Sequence, residues 1–259
     1  MILGKPIALG RTAEVYACEN GQVLKLFRPP WGRAAAESEA RLARTVHAAG
    51  TAVGEVIEYD GRFGLPYAHV EGRLLVDVLF TTPWKLAEFA RGFADIHARV
   101  HAHVLPELPS QRQRLEDRLR STTVLPGALK DVLLGILASL PDGDRVCHGD
   151  FHPANVLVTA HGPVIVDWTD ATRRNPVADI ARTLLLFQLA TEAAPLRRLM
   201  VAGVRSWFRR VYLGRYRLVA PLDEAQLMAW QSVIAAARLR EEVLGEADRL
   251  MRVVHVARR

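Results

Sequence analysis

The stretch from residue 146 to residue 170 constrains the fold of this chain more than any other part of the sequence. It contains two apolar runs, Val156–Val158 and Val164–Val166, which are separated by the segment Thr-Ala-His-Gly-Pro. Two short apolar runs on either side of such a break are typical of a β-hairpin, and Gly162 suits its turn. The sequence therefore predicts an antiparallel hairpin at residues 156–166, early in the second half of the chain.

Polar side chains lie at both ends of the predicted hairpin. Asp150 and Asn155 come before its first strand, and Asp167 directly follows its second strand. The two ends of an antiparallel hairpin are neighbours in space, so we expect two carboxylates and a carboxamide at one rim. Their oxygens are ligands that Mg²⁺ prefers, usually together with phosphate oxygens and water. Asp150 is five residues before Asn155, which leaves it free to accept a proton from a substrate.

The spacing of these residues resembles a known catalytic arrangement. His-Gly-Asp-x-x-x-x-Asn, followed by an apolar hairpin that ends in Asp, has the order of the His-Arg-Asp-x-x-x-x-Asn and Asp-Phe-Gly segments of protein kinases. Gly149 replaces the arginine, His-Pro stands inside the loop, and Asp-Trp replaces Asp-Phe. In these details the chain resembles the aminoglycoside phosphotransferase and choline kinase family, through motifs at about residues 5–72 and 145–182.

The resemblance implies an α+β chain with the two-lobed protein-kinase-like fold. An N-terminal nucleotide-binding lobe, residues 1–71, would hold a small antiparallel β-sheet and one helix, with a hinge at about 67–71. A larger, mainly helical C-terminal lobe, residues 72–259, would carry the catalytic β-hairpin and bind the substrate. The resemblance also implies ATP as co-substrate, with GTP still open, Mg²⁺ as cofactor, and backbone contacts to adenine from Ala68 and Val70.

The N-terminal residues would form the nucleotide-binding sheet. The Asn-Gly pair at 20–21 lies between two alternating runs and predicts a hairpin with strands at about 13–18 and 22–27. Further strands are predicted at 53–59 and 64–70. A turn of mostly small residues precedes the hairpin, and its backbone N–H groups are candidates for phosphate binding, although an ordinary tight turn is the alternative. This turn consists of Gly10, Arg11, Thr12 and Ala13.

Lys25 lies on the second strand of that hairpin, between Leu24 and Leu26. Successive side chains of a strand point to opposite faces, so Lys25 faces away from its two apolar neighbours. It resembles the third-strand lysine of the family, which binds the α- and β-phosphates of the nucleotide. The alternative is an exposed strand lysine.

A helix is predicted over residues 34–49, ended by Gly50. The resemblance calls for a glutamate on this helix that pairs with the strand lysine. The resemblance favours Glu39, because its distance to the helix-ending glycine matches the family pattern, and Glu37 is the alternative. Glu39 also shares a helical face with Leu42 and Val46.

An Asn-Pro pair after the hairpin starts another helix, which runs to about residue 190 with Asp179 in its first turn. In the resembling family an aspartate here braces the catalytic loop, so we assign Asp179 and the loop residue His148 to structural support. A helix predicted at 82–101, with Thr82 as its N-cap, carries His97 on its apolar side, where we expect a structural histidine. Other helices are predicted from Ser110 and at about 129–140, 195–213 and 224–254. In the last of these, Asp223 and Gln226 would form a capping box, and Gly245 would interrupt the segment.

Composition narrows the class of protein. At 259 residues, half of them apolar, the chain can form one large domain or two lobes with a sizeable core. Cys18 and Cys147 fit no zinc or haem spacing, and no apolar run approaches a membrane-spanning length, so we expect a cytoplasmic protein with reduced thiols. The net charge of +6 is interpreted as a solvated arginine-rich surface. We expect a small-molecule partner, no nucleic acid and no membrane, and leave the oligomeric state open.

The predicted reaction is transfer of the ATP γ-phosphoryl group to a hydroxyl of an aminoglycoside-, amino alcohol- or sugar-like molecule. Asn155 and Asp167 would hold Mg²⁺, Lys25 and Glu39 would orient phosphates, and Asp150 would accept the proton. A cationic acceptor would need acidic residues nearby. The candidates are Asp170, Glu241, Glu242, Glu246 and Asp248.

Two other interpretations stay open. A metal-dependent hydrolase could use His148, Asp150, His152 and Asp167 as zinc, manganese or iron ligands, but it leaves Lys25 unexplained. The second open interpretation is a non-catalytic kinase-like module that binds a nucleotide. A protein kinase is disfavoured, because no Ala-Pro-Glu segment follows the hairpin.

Overall fold

The chain divides into two compact units. The computed structural model describes residues 3–19, 21–46, 53–189, 195–243 and 245–256. The first unit comprises Met1–Leu75 and Asn155–Thr169, and the second comprises Val76–Ala154 and Asp170–Arg259. We predicted the catalytic hairpin within a lobe spanning 72–259, whereas the structure groups it with the first unit. The assignment of nucleotide-binding and substrate-binding lobes stays a prediction.

A five-stranded antiparallel sheet forms the base of the first unit. Its strands are β1 (Ala8–Leu9), β2 (Ala13–Cys18), β3 (Gln22–Phe27), β4 (Ile57–Tyr59) and β5 (Arg62–Ala68). They lie in the order β1-β2-β3-β5-β4. The predicted hairpin at 13–27 is confirmed, since β2 and β3 pair along their full lengths. Gly21 in its turn has a φ of +67°, which glycine adopts without steric cost; Asn20 lies outside the described residues.

The strand predicted at 53–59 is shorter in the structure. Only β4 forms a ladder there, while Val53 makes an isolated bridge to Tyr67 and the Gly54 N–H donates to the Pro66 carbonyl at 2.8 Å. Pro66 has no N–H to donate in return, which interrupts a continuous ladder at this point.

Helix α1 (Arg33–Val46) packs against this sheet. Ala36 and Ala40 form a hydrophobic cluster with three sheet residues: Ala13, Phe27 and Leu65. Glu39 lies on the same buried side and is only 1% exposed. The predicted helix 34–49 is confirmed as far as residue 46, and its predicted end, including Gly50, falls outside the described residues.

A three-stranded sheet completes the first unit and contains the predicted catalytic hairpin. It consists of β6 (Arg73–Leu74), β8 (Val156–Thr159) and β9 (Gly162–Ile165), with strands numbered along the chain. β8 and β9 pair from Val156 opposite Ile165 to Thr159 opposite Gly162, so the hairpin prediction is confirmed. The Val166 N–H donates to the Asn155 carbonyl at 3.0 Å, which joins the two chain ends of the hairpin.

The second unit is mainly helical. Two short strands, β7 (Arg145–Cys147) and β10 (Thr172–Arg174), pair antiparallel within it. Its helices are α2 (Leu75–Thr81), which starts at the unit boundary, α3 (Leu86–Ala102), α4 (Gln111–Ser121), α5 (Gly127–Ser139), α6 (Pro176–Leu189), α7 (Pro195–Val219), α8 (Glu224–Arg238) and α9 (Ala247–Val256). None of the helices that the structure describes has both the length and the apolar character needed to cross a bilayer.

The predicted helices are present, with two corrections to their ends. Thr82 does not cap α3; its hydroxyl donates back to the Val78 carbonyl at 2.7 Å, and a 3₁₀ turn precedes the helix. The helical segment predicted at 224–254 is interrupted, as expected, but the interruption begins before Gly245: α8 ends at Arg238, and the chain is left-handed at Glu242, with a φ of +48°, as well as at Gly245, with a φ of +77°. Asp223 caps α8 as predicted, accepting hydrogen bonds from the backbone N–H groups of residues 225 and 226.

Aromatic packing anchors the loop after β7 in the core of the second unit. Phe151, the residue after Asp150, is fully buried and stacks on Phe93 with ring centroids 4.2 Å apart. Phe208 and Tyr212 of α7 meet Phe93 edge-on at 5.5 and 5.4 Å. This packing holds the backbone next to Asp150 in one position.

Candidate active site

Lys25 is the centre of an ion cluster in the first unit. Its ammonium donates to both carboxylate oxygens of Glu39, at 2.8 and 2.9 Å, and to Asp167 Oδ1 at 2.9 Å. Tyr67 adds a hydroxyl hydrogen bond to Glu39 at 2.6 Å, and Thr169 adds another at 2.8 Å. The predicted Lys25–Glu39 pair is therefore present in the structure.

The alternative glutamate, Glu37, lies on the exposed side of α1, where it pairs with Arg33 at 3.5 Å. Helical spacing explains this difference, since positions 37 and 39 are roughly 200° apart around a helix. The face that buries Ala36 and Ala40 also carries Glu39 towards the sheet.

The cluster carries more negative than positive charge. Burial acts to lower the pKa of Lys25, but the charges of Asp167 and Glu39 outweigh it and raise the pKa above the usual range. Lys25 is therefore charged at any physiological pH. Its one positive charge faces two carboxylates, and the Asp167 side chain is 42% exposed.

Asn155 and Asp167 meet the chemical requirements for a hard divalent cation. They supply amide and carboxylate oxygens from the two ends of one hairpin, and the surplus negative charge of the Lys25 cluster favours a further cation. Asp167 also has a φ of +62°, a left-handed conformation that is uncommon outside glycine and occurs often at functional sites. These two residues fit Mg²⁺, and their role as its ligands stays a prediction.

The predicted phosphate-binding turn is an ordered tight turn. The Gly10 N–H donates to the Ala13 carbonyl at 2.9 Å, and the Arg28 N–H donates to the Thr12 carbonyl at 2.8 Å. The Gly10 N–H is thus already used within the turn, and Arg11 at its tip is exposed. Phosphate binding by this turn stays a prediction, as does adenine binding at Ala68, the last residue of β5, and at Val70.

Asp150 lies in the second unit, in the loop after β7. Its carboxylate contacts His152 Nε2 at 3.3 Å and Arg182 at 3.5 Å. Burial acts to raise the pKa of Asp150, but the hydrogen bond from His152 and the charge of Arg182 outweigh it and lower the pKa. Asp150 is therefore ionised and able to accept a hydrogen bond from a hydroxyl.

Asp179 braces this loop through backbone hydrogen bonds. Its two oxygens accept from the backbone N–H groups of His148, at 2.7 Å, and Gly149, at 2.9 Å. Gly149 has a φ of +82°, and a side chain there would collide with the Asp170 carbonyl and with Arg174. Arg174 also pairs with Asp179 at 3.3 Å. The contacts fit the structural role predicted for Asp179.

A second layer of buried groups holds Asp179 itself. His97 and His101 of α3 lie 3.1 and 3.2 Å from Asp179 Oδ2, and their other ring nitrogens lie 2.8 and 2.7 Å from the hydroxyls of Tyr212 and Tyr216. A carboxylate accepts only, so each Nε2 carries the proton and each Nδ1 accepts from a tyrosine. Burial first, and then the neighbouring His101, lower the pKa of His97 to about 3, so His97 is neutral. The prediction of a structural His97 agrees with these contacts.

Sequence reasoning missed this layer, although a signal for it existed. The two histidines are four residues apart on α3, and the two tyrosines are four residues apart on α7. Such i, i+4 pairs point from the same face of a helix. Two polar aromatic pairs on otherwise apolar helical faces predict a buried hydrogen-bonded network.

The metal-hydrolase interpretation receives no support from the geometry. In the part of the chain that the structure describes, the His, Cys, Asp and Glu side chains close enough to share an ion are His97, His101 and Asp179. The two histidines contact tyrosine hydroxyls, and Asp179 accepts hydrogen bonds from the backbone of the loop before Asp150. The loop from His148 to His152 does not form such a group.

The acidic residues predicted to face a cationic acceptor are mostly paired with arginines. Asp170 contacts Arg114 at 3.2 Å and Arg118 at 3.6 Å. Glu241 contacts Arg118, Arg182 and Arg238 at 3.4, 3.3 and 3.0 Å. Glu242 and Asp248 are exposed, and Glu246 pairs with Arg238 at 2.7 Å.

Known proteins of one family are similar to this chain over most of its length. Residues 4–218 match the model of the phosphotransferase enzyme family, abbreviated APH. A choline/ethanolamine kinase family protein from Mesorhizobium loti is similar in structure, with 18% identity over 98% of this chain and 84% of its own, and a TM-score of 0.56. No curated protein sequence gives a significant match.

Two further solved structures are similar over nearly the whole chain. Aminoglycoside phosphotransferase APH(4)-Ia, as a ternary complex with AMP-PNP and hygromycin B, shares 16% identity over 98% of this chain and 90% of its own, with a TM-score of 0.64. Amicoumacin kinase hAmiN, in complex with AMP-PNP and Ca²⁺, shares 18% identity over 97% and 86%, with a TM-score of 0.61. At such identities these likenesses establish the protein-kinase-like fold. Together with the match over residues 4–218, they show that the chain belongs to the APH phosphotransferase enzyme family.

Proposed function

We propose that the chain is an ATP-dependent phosphotransferase that moves the γ-phosphoryl group to a hydroxyl of a small molecule. The observation that carries this proposal is the ion cluster in which Lys25 contacts Glu39 at 2.8 Å and Asp167 at 2.9 Å. A charged lysine beside an exposed carboxylate suits nucleotide phosphates together with a divalent cation. The relatives solved with AMP-PNP support a nucleotide co-substrate, and the one solved with Ca²⁺ supports a divalent cation.

Lys25 would bind the α- and β-phosphates, and Glu39 would hold its ammonium in place. Glu39 is suited to this because Tyr67 and Thr169 also bind its carboxylate, so its position does not depend on the nucleotide. Asn155 and Asp167 would hold Mg²⁺, which neutralises charge on the phosphate oxygens when it is bound. The turn at residues 10–13 and the backbone of Ala68 and Val70 would complete the nucleotide site.

Asp150 would orient the acceptor hydroxyl and accept its proton. Its lowered pKa makes it a weak base, so its main contribution is alignment, with proton transfer late in the reaction. The positions of its neighbours support this role. Arg182 and His152 fix the carboxylate, and Asp179 holds the backbone directly before it.

The test is single-turnover phosphoryl transfer from radiolabelled ATP to a panel of hydroxyl compounds. Asp150→Asn should bind Mg²⁺-ATP like the wild type and lose about 10²- to 10⁴-fold in transfer rate, the usual contribution of a positioned base. The matched control is Asp144→Asn, which makes the same change at an exposed aspartate of the second unit.

The control should transfer phosphate at the wild-type rate. Nucleotide binding without transfer to any acceptor, also in the wild type, would instead favour a non-catalytic binding module. Hydrolytic activity that follows bound zinc, manganese or iron would favour the hydrolase.

A further inference from the structure

A small recess opens in the second unit beside the loop that carries Asp150. Helix α4 forms one wall with Gln111, Arg114 and Arg118, and Gly149 contributes backbone. The remaining polar walls come from Asp170, which lies two residues before β10, from Thr172 and Arg174 of β10, and from Arg182 of α6.

Three side chains that line the recess have unpartnered polar atoms although they are buried. Gln111 is 6% exposed, Thr172 is 1% exposed and Arg174 is 3% exposed. Among the described residues, nothing forms a hydrogen bond with Gln111 Oε1, Thr172 Oγ1 or Arg174 Nε. Buried polar atoms without partners are costly. Arg174 Nε and the Thr172 hydroxyl can donate to an anion beside them, whereas Gln111 Oε1 can only accept a hydrogen bond.

The charge of the lining selects the kind of ligand. Its charged members are four arginines and Asp170. The other carboxylates in contact with these arginines do not line the recess: Asp179 contacts Arg174, Asp150 contacts Arg182, and Glu241 contacts Arg118 and Arg182. A ligand in the recess therefore meets guanidinium N–H donors, and Asp170 is shared by Arg114 and Arg118. Guanidinium groups form strong paired hydrogen bonds with carboxylate and phosphate oxygens.

We infer that the recess binds an anionic group of the acceptor, a carboxylate or a phosphate ester, so that the substrate is a negatively charged hydroxy compound. This inference rests on the proposed function and names the substrate class of the same site. It disfavours a cationic acceptor, for which Asp170 and Glu241 were the candidate partners, because both carboxylates already pair with arginines.

Arg182 links the recess to the proposed base. Its guanidinium lines the recess, donates to the Gly149 carbonyl at 3.3 Å and lies 3.5 Å from Asp150 Oδ1. An anion held by the arginines is therefore a few atoms away from Asp150. This spacing suits a small hydroxy acid or sugar phosphate, with the anionic group in the recess and a hydroxyl at Asp150.

The first experiment measures binding by calorimetry in the presence of AMP-PNP and Mg²⁺, which occupy the nucleotide site. The probes are inorganic phosphate, lactate and isopropanolamine. Lactate and isopropanolamine share a secondary hydroxyl and differ in the sign of their charge. Phosphate and lactate should bind the wild type, and isopropanolamine should not.

Substitutions on α4 then locate the binding. Arg114→Gln and Arg118→Gln should each weaken phosphate and lactate binding by roughly tenfold or more, the effect of losing a charged hydrogen bond. Arg120→Gln is the matched control, because Arg120 is on the same helix and pairs with Glu116 on its exposed side. The control should bind both anions like the wild type.

Three results would overturn the inference: no anion binding by the wild type, equal anion binding by all the variants, or preferred binding of isopropanolamine. The wild-type titrations alone can overturn the inference, even if an arginine variant fails to fold. Absence of AMP-PNP binding would refute the proposed function. It would not refute the anion site, because anion binding that depends on Arg114 would still support the recess as that site.

Discussion

Acid should destabilise the second unit through its buried histidines, and His97 determines the size of the effect. His97 is fully buried between Asp179 and Tyr212, and it also contacts the rings of His101 and Phe151. Burial first, and then His101, lower its pKa from 6.5 to about 3 in the folded chain. In the unfolded chain the histidine returns to its ordinary pKa.

The sign follows from proton binding. Below pH 6.5 the unfolded chain takes up a proton at His97, while the folded chain does not until the pH approaches 3. The unfolded state therefore binds more protons in this window, and the free energy of unfolding falls as acid is added. One such group contributes a slope of about 1.4 kcal/mol per pH unit, so acidification from about pH 6 to about pH 4.5 should cost roughly 2 kcal/mol. His101, whose pKa is also lowered chiefly by burial, acts in the same direction.

Urea unfolding followed by tryptophan fluorescence measures this slope, since Trp230 of the second unit is 1% exposed. His97→Gln should reduce the slope by about 1.4 kcal/mol per pH unit, because the titrating group is gone. His103→Gln, at an exposed position just after α3, should keep the wild-type slope. An unchanged slope in His97→Gln, or a wild type that gains stability between about pH 6 and about pH 4.5, would refute the reasoning.

Two further predictions concern single contacts. Gly149→Ala should lower the free energy of unfolding by about 2–4 kcal/mol, because its backbone is left-handed and a methyl group would collide with neighbouring atoms. Gly92→Ala, in open space on α3, should instead raise the free energy of unfolding by up to about 1 kcal/mol. Thermal denaturation in which Gly149→Ala is at least as stable as Gly92→Ala would contradict this prediction. Glu39→Gln should weaken Mg²⁺-ATP binding about tenfold, because Lys25 loses the buried one of its two charged partners. Glu37→Gln should have no effect, and calorimetric titrations that show equal losses for both would rule out the assigned pair.

Local sequence signals were sufficient where neighbouring residues determine the structure. The β2–β3 hairpin follows from alternation around an Asn-Gly pair, and the β8–β9 hairpin follows from two apolar runs around Gly162. Local signals were not sufficient where an interaction with a distant residue determines the structure. The interruption beside Pro66 depends on pairing between β4 and β5. The chain also leaves the helical conformation at Glu242, three residues before the interruption predicted at Gly245, and Glu242 itself has no helix-breaking character.

The candidate site divides in the same way. Lys25, Glu39, Asn155 and Asp167 could be selected because motif spacing ties each of them to an element. The arginines could not, since Arg174 reaches Asp179 and Arg114 reaches Asp170 only in the folded chain. The acids at 170 and 241 were therefore interpreted by their own charge, without the cations that neutralise them.

Magnesium-dependent ATP binding tests the central claim most directly. ATP is titrated calorimetrically into the wild type and Asp167→Asn, with and without Mg²⁺. Asp60→Asn is the control, because it makes the same change at an exposed aspartate that also has a left-handed backbone, with a φ of 49°. The wild type and the control should bind ATP in a magnesium-dependent manner, and Asp167→Asn should bind about tenfold more weakly or worse. No nucleotide binding by the wild type, with GTP also silent, or unchanged binding by Asp167→Asn would contradict the account.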